Sequence, residues 1–160
     1  DTDHVGAVEA DSPGLFRDAK LYIDEVENRY LTGEVRRKVI YRLYKLPQVT
    51  IHNEKVLLHD GEVFDIGGIK IECFLVPGHT WGHMVYLIDD KYLFTGDTLF
   101  RGSCGRTDLP GGNMRMEMAS LKRLCALPGD YEVYPGHMDS STLERERRFN
   151  HYCREAMTKF

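Results

Sequence analysis

From Val76 to His83 the chain reads Val-Pro-Gly-His-Thr-Trp-Gly-His, and Pro-Gly-His recurs at Pro135-Gly136-His137 after Tyr134. Between them, Phe94-Thr95-Gly96-Asp97-Thr98 repeats the plan with a carboxylate in place of the imidazole. A fourth stretch, Asp1-Thr2-Asp3-His4-Val5-Gly6, opens the chain. Glycine lets a backbone turn sharply beside a reactive side chain, and loops at strand ends are where a rigid scaffold displays such groups. His4, His79 and His137 with Asp97 and the neighbouring acids offer imidazole and carboxylate but no thiolate. That donor set suits zinc, iron or manganese.

The segments around these loops read as strands: Glu62–Ile66, Gly68–Val76, Met84–Ile88, Tyr92–Phe94 and Tyr131–Tyr134. Gly67-Gly68 and Asp89-Asp90 supply hairpin turns. Lys20–Ile23 predicts another strand, followed by a helix capped near Asp24 and interrupted at Gly33. Val35, Val39 and Leu43 predict an amphipathic helix ending at Leu46-Pro47, with Arg36-Arg37-Lys38 on its solvated face. Asn113 predicts the cap of a helix with Met114, Met118, Leu121 and Cys125 on one face, and Ser141 with Glu144 predicts a reciprocal cap on the last helix. Strands mixed with helices and joined by hairpins give an α/β or α+β class with a mixed or mainly antiparallel sheet.

The 160 residues, 42% hydrophobic and 29% charged, are the size and mix of one soluble domain covering 1–160. A formal charge of −4 gives no reason to expect nucleic acid, and no apolar run suits a membrane span. Cys73, Cys104, Cys125 and Cys153 are too scattered for a disulfide framework or a zinc finger, which fits a reducing cytoplasm. A start at Asp1 rather than Met is expected of a segment from a longer protein.

The sequence resembles the metallo-β-lactamase superfamily of metallohydrolases, and most of all its hydroxyacylglutathione hydrolase (glyoxalase II)-like branch. The resemblance lies in stretches 1–6, 76–83, 93–100, 102–112 (Gly-Ser-Cys-Gly-Arg-Thr-Asp-Leu-Pro-Gly-Gly) and 134–137. It implies an αββα sandwich without its N-terminal strands, with a two-metal site at one edge between the sheets. Asp3 and His4 would bind one metal with His137, His79 would bind the other, and Asp97 would bridge them. Asp1 falls where the family motif carries a histidine ligand. Two zinc ions are implied in the parent protein, with iron or manganese as alternatives. Two such cations share a hydroxide and polarise a carbonyl, and Asp3 would help orient that nucleophile.

Two further residues follow from the same likeness. His83 is expected to hold its neighbours by hydrogen bonds rather than ligate. Arg106 either binds a substrate carboxylate, as a basic residue does in some thioesterase relatives, or closes the glycine-rich loop. The reaction implied is hydrolysis of a thioester or similarly activated acyl bond in a small-molecule substrate. The alternatives are a mononuclear iron enzyme of sulfur oxidation or redox chemistry, and an inactive fragment or half of an assembly. Without covering strands the chain would expose a sheet edge, inviting pairing or a homo-oligomer.

Overall fold

The computed structural model describes His4, Val5, Val8, residues 14–35 and residues 51–160. These fall into two compact units, one up to Leu58 and one from His59 to the C-terminus. In the first, strand β1 (Leu21–Asp24) pairs in parallel with β2 (Lys55–Leu58). Helix α1 (Glu25–Leu31) follows β1 directly because Asp24 Oδ1 accepts the amide of Val26 at 2.7 Å. It stops where Gly33 takes a φ of 76°, as expected from the sequence. The helix anticipated from Val35 to Leu46 lies outside the described residues beyond its first position.

The second unit carries a six-stranded mixed sheet. Its strands are β3 (Val63–Ile66), β4 (Ile69–Leu75), β5 (Met84–Ile88), β6 (Tyr92–Gly96), β9 (Glu132–Pro135) and β10 (Ser141–Thr142). The order across the sheet is β10-β9-β6-β5-β4-β3. All neighbours are antiparallel except β6 and β9, which run parallel. Asp89 and Asp90, both at φ 51°, form the tight β5–β6 turn that hairpin twist requires. A separate two-stranded ribbon, β7 (Leu99–Phe100) and β8 (Ser103–Cys104), follows β6.

Three helices complete the unit: α2 (Met114–Cys125), α3 (Leu143–Phe149) and α4 (His151–Lys159). Alternate strand residues Phe74, Val85, Leu87, Leu93 and Val133 share a core with Met118, Leu121, Leu124, Leu143, Cys153 and Ala156. The sheet therefore packs all three helices through one face. On the opposite face Phe94 stacks on Tyr134, ring centroids 5.3 Å apart.

Two local expectations are corrected. Met114 is 47% exposed, and the buried face of α2 is Glu117, Met118, Ser120, Leu121, Leu124 and Cys125. Position 114 is the first residue of the helix and lies outside the core cluster. The helix expected to open at Ser141 is two, α3 and α4; α3 is capped by Thr142, whose hydroxyl accepts the Arg145 amide at 3.2 Å, and not by Ser141 with Glu144, while α4 is capped by Asn150. Ser141 belongs to β10, and its hydroxyl donates to the buried carboxylate of Glu146 instead. That carboxylate also accepts the Gly102 amide at 2.7 Å and the Asn150 side-chain amide at 3.0 Å, so it ties the β7–β8 turn to the helices.

Candidate metal centre

Three loops at one end of the sheet carry His79, Asp97 and His137. After β4, the main chain turns at Pro77-Gly78 and brings in His79. After β6, pairing with β9 skips from Phe94 to Gly96, and this irregularity re-aims the chain at Asp97. After β9, the Gly136 amide donates to the Gly96 carbonyl at 2.9 Å, which sets His137 beside the Asp97 turn. The result is a shared point: Asp97 Oδ2 lies 3.6 Å from His79 Nε2 and 3.5 Å from His137 Nε2. The Asp97 and His79 side chains are about nine-tenths buried, whereas that of His137 is 52% exposed and leaves the cluster open on one side.

The orientation of His79 is fixed from behind. Its Nδ1 donates to the Arg106 main-chain carbonyl at 2.8 Å, so in the neutral ring Nε2 presents its lone pair to the Asp97 carboxylate. Two electron-rich atoms facing one another across that gap are what an intervening cation reconciles. The residues therefore fit a divalent metal, with His79, Asp97 and His137 as donors. Imidazole nitrogen and carboxylate oxygen are the ligand types of zinc and non-haem iron.

His83 acts on the neighbouring turn. Its Nε2 is 3.3 Å from both the Thr95 carbonyl and the Asp97 amide, and its ring meets that of His79 edge-on at 6.0 Å. Burial, partly opposed by the Thr95 carbonyl, lowers its pKa to about 4, so the ring is neutral at ordinary pH. Gly96 has φ 47°, and a Cβ there would run into the His83 ring. Only glycine suits that close approach.

Arg106 pairs its guanidinium with Asp108 through two contacts of 2.8 Å. The side-chain hydrogen bonds hold the Asp108 carboxyl down at about 2. Arg106 thus serves the centre through its carbonyl while its side chain is engaged elsewhere in the loop. Cys104 is no nucleophile: burial pushes its thiol up to about 12. His4 lies on helical backbone in the first unit and is exposed. Asp1 and Asp3 lie outside the described residues.

One residue at this centre escapes a motif-based reading. Glu117 is fully buried in α2, and a Cβ on Gly78 would overlap it. The signal available in the sequence was helical spacing, since Glu117 lies four residues before Leu121 and three before Ser120 on the buried face.

Residues 1–137 match the model of the metallo-β-lactamase superfamily. The chain is 37% identical over 93 residues to the hydroxyacylglutathione hydrolase GloC of Haemophilus influenzae, covering 57% of this chain and 44% of that one. The chain spans the same 44% of the first curated relatives it matches. The B3 metallo-β-lactamase BLEG-1 superposes with a TM-score of 0.80 at 30% identity, over 94% of this chain and 71% of the other. A protein crystallised in a di-iron-bound form, TTHA1623, superposes with a TM-score of 0.73 at 33% identity, over 93% and 71%. Motif order, the sheet with its helices, and these likenesses agree that the chain belongs to the metallo-β-lactamase superfamily.

Proposed function

We propose that the chain carries the metal-binding core of a hydrolase acting on thioesters or similarly activated acyl bonds of small molecules. The observation that carries this reading is the approach of His79 Nε2 and His137 Nε2 to a single oxygen of Asp97. In it, His79 serves one metal and His137 a second, with Asp97 shared. Asp1, Asp3 and His4 of the opening motif supply further ligands, and Asp3 also orients the nucleophile. A bound divalent pair supplies an acidified water and Lewis acidity toward a carbonyl. The chain's own residues then hold that chemistry in place: Arg106 fixes the His79 ring through its carbonyl, and His83 supports the Asp97 turn. The Arg106 guanidinium, steadied by Asp108, offers a fixed cation for a substrate carboxylate. The likeness to a hydroxyacylglutathione hydrolase supports an acyl bond to sulfur, and a cytoplasmic setting agrees with four free cysteines.

Elemental analysis of the purified chain, followed by assay against acyl-glutathione thioesters and matched oxygen esters, tests the proposal. About two zinc per chain with thioester turnover is the expected result. A fully metallated protein that hydrolyses neither would overturn it. The second reading is a mononuclear iron enzyme of sulfur oxidation or redox chemistry; the likeness to a protein crystallised in a di-iron-bound form supports iron as the metal. Iron in place of zinc, with oxygen uptake on a persulfide, would select it.

A further inference from the structure

Helix α2 contacts the His79 turn at regular intervals. The Asn113 amide donates to the Gly78 carbonyl at 2.7 Å, the Ser120 hydroxyl to the Pro77 carbonyl at 2.7 Å, and Arg123 to the Leu75 carbonyl at 3.0 Å. Positions 113, 117, 120 and 123 recur every three or four residues, so they line one stripe of the helix. Glu117 occupies the centre of that stripe, packed against Gly78. It is fully buried beside Met118, Leu121 and Leu124, where an apolar side chain would pack without a desolvation penalty. Neither of its carboxyl oxygens has a hydrogen-bond partner among the described residues. The His79 ring and the Asp97 carboxylate act on it through charge, and the main-chain groups that face it are the backbone amides of His79 and Gly105. These belong to the two turns that carry the imidazole and, one residue later, the Arg106 carbonyl that fixes its tautomer.

The geometry points to Glu117 as a positioning residue of the metal centre, which backs the His79 turn from within α2 so that His79 Nε2 keeps its place opposite Asp97. Ionised, the Glu117 side chain offers an accepting oxygen to each of these two amides. An amide of the same shape offers one oxygen and turns an N–H toward the other donor, and leucine offers neither. This inference rests on the reading of His79 as a metal ligand.

The test uses the full 160-residue chain with Glu117→Gln and Glu117→Leu. Zinc affinity is measured by competition with a chromophoric chelator, and the ligand field by the absorption spectrum of the cobalt(II) form. The expected result is zinc affinity about 10-fold weaker for the Gln variant and about 100-fold weaker for the Leu variant, the range for loss of a partner behind a ligand. Both should shift the cobalt spectrum, while the metal-free Gln variant unfolds at a midpoint no lower than the parent's. Unchanged affinity and spectrum in the Gln variant overturn the inference, and do so even if the Leu variant fails to fold. A parent chain that binds neither zinc nor cobalt overturns the ligand reading itself, and this inference with it. The two failures are therefore distinct.

Discussion

His79 reaches Arg106 through the main chain: the 2.8 Å contact from Nδ1 ends on a carbonyl, not on the guanidinium. The side chain of Arg106 is therefore separable from the geometry of the centre. Arg106→Ala should leave zinc stoichiometry and affinity within about twofold of the parent, since the carbonyl remains. If the guanidinium binds a substrate carboxylate, the same variant should raise KM for an acyl-glutathione with little change for an uncharged thioester. Competition titration and steady-state kinetics check the two halves separately.

Asp97 Oδ2 is the one oxygen that both imidazoles approach. Asp97→Asn preserves shape but removes the charge, and should weaken zinc binding by more than the roughly 10–100-fold typical of residues one layer out. Elemental analysis after dialysis against a weak chelator would show the loss directly.

Gly96 tolerates no side chain, because its φ is 47° and a Cβ would meet the His83 ring. Gly96→Ala should destabilise the chain by about 1–3 kcal/mol from backbone strain and overpacking. It should also weaken metal binding, because Asp97 follows directly. Denaturant midpoints, read beside zinc affinity, test both effects.

Glu117 gives the metal-free chain a pH signature. Burial raises its pKa from 4.5 to about 8, against the pull of His79 and of the His79 and Gly105 amides. The folded chain thus holds this proton where the unfolded chain has lost it. Its contribution to stability is fully present below pH 4.5 and is lost as pH rises through about 8, by an amount on the order of a few kcal/mol. His83 has the opposite sign. Its folded value near 4 lies below the ordinary 6.5, so its contribution is complete above pH 6.5 and is lost as pH falls toward 4. Metal-free Glu117→Gln should therefore gain stability relative to the parent between pH 5 and 8 as pH rises. Parallel unfolding curves across that range would contradict this.

Glu146 makes a useful contrast, for it is as buried as Glu117 but well provided with donors. Burial raises its pKa, yet donors from Ser141, Gly102, Asn150 and Arg145 together outweigh burial and hold it below the usual value. Glu146→Ala leaves the Gly102 amide without its acceptor and takes one of three acceptors from the Asn150 side-chain amide, and should cost about 2–5 kcal/mol. Thermal unfolding of the metal-free variant checks the size of the loss.

The histidine and aspartate loops were legible because each pairs a glycine with a reactive side chain at a strand end, and turn chemistry has a strong local signature. Hairpins marked by Gly67-Gly68 and Asp89-Asp90 were visible for the same reason. The two-residue strands β7, β8 and β10 were not, since two residues show no alternation, and their pairing comes from tertiary contacts around Glu146 and Asn150. Lys55–Leu58 was missed as well; its partner β1 lies 34 residues earlier, so no hairpin turn announces it. Glu117 was overlooked because a glutamate on a helix reads as surface until the buried face is known. Ser141 misled because Ser-x-x-Glu also fits a cap, while the native hydroxyl bonds farther along the helix.

The stripe of contacts from Asn113 to Arg123 has a consequence for the order of assembly. The β4–β5 hairpin forms from neighbours in sequence, but the turn that carries His79 acquires its shape from a helix that starts at Met114. Loop closure over that distance is slower than hairpin closure. In refolding, capture of a metal ion by His79 should therefore trail formation of the β4–β5 hairpin and coincide with docking of α2. The histidine is an early-synthesised ligand whose competence arrives late.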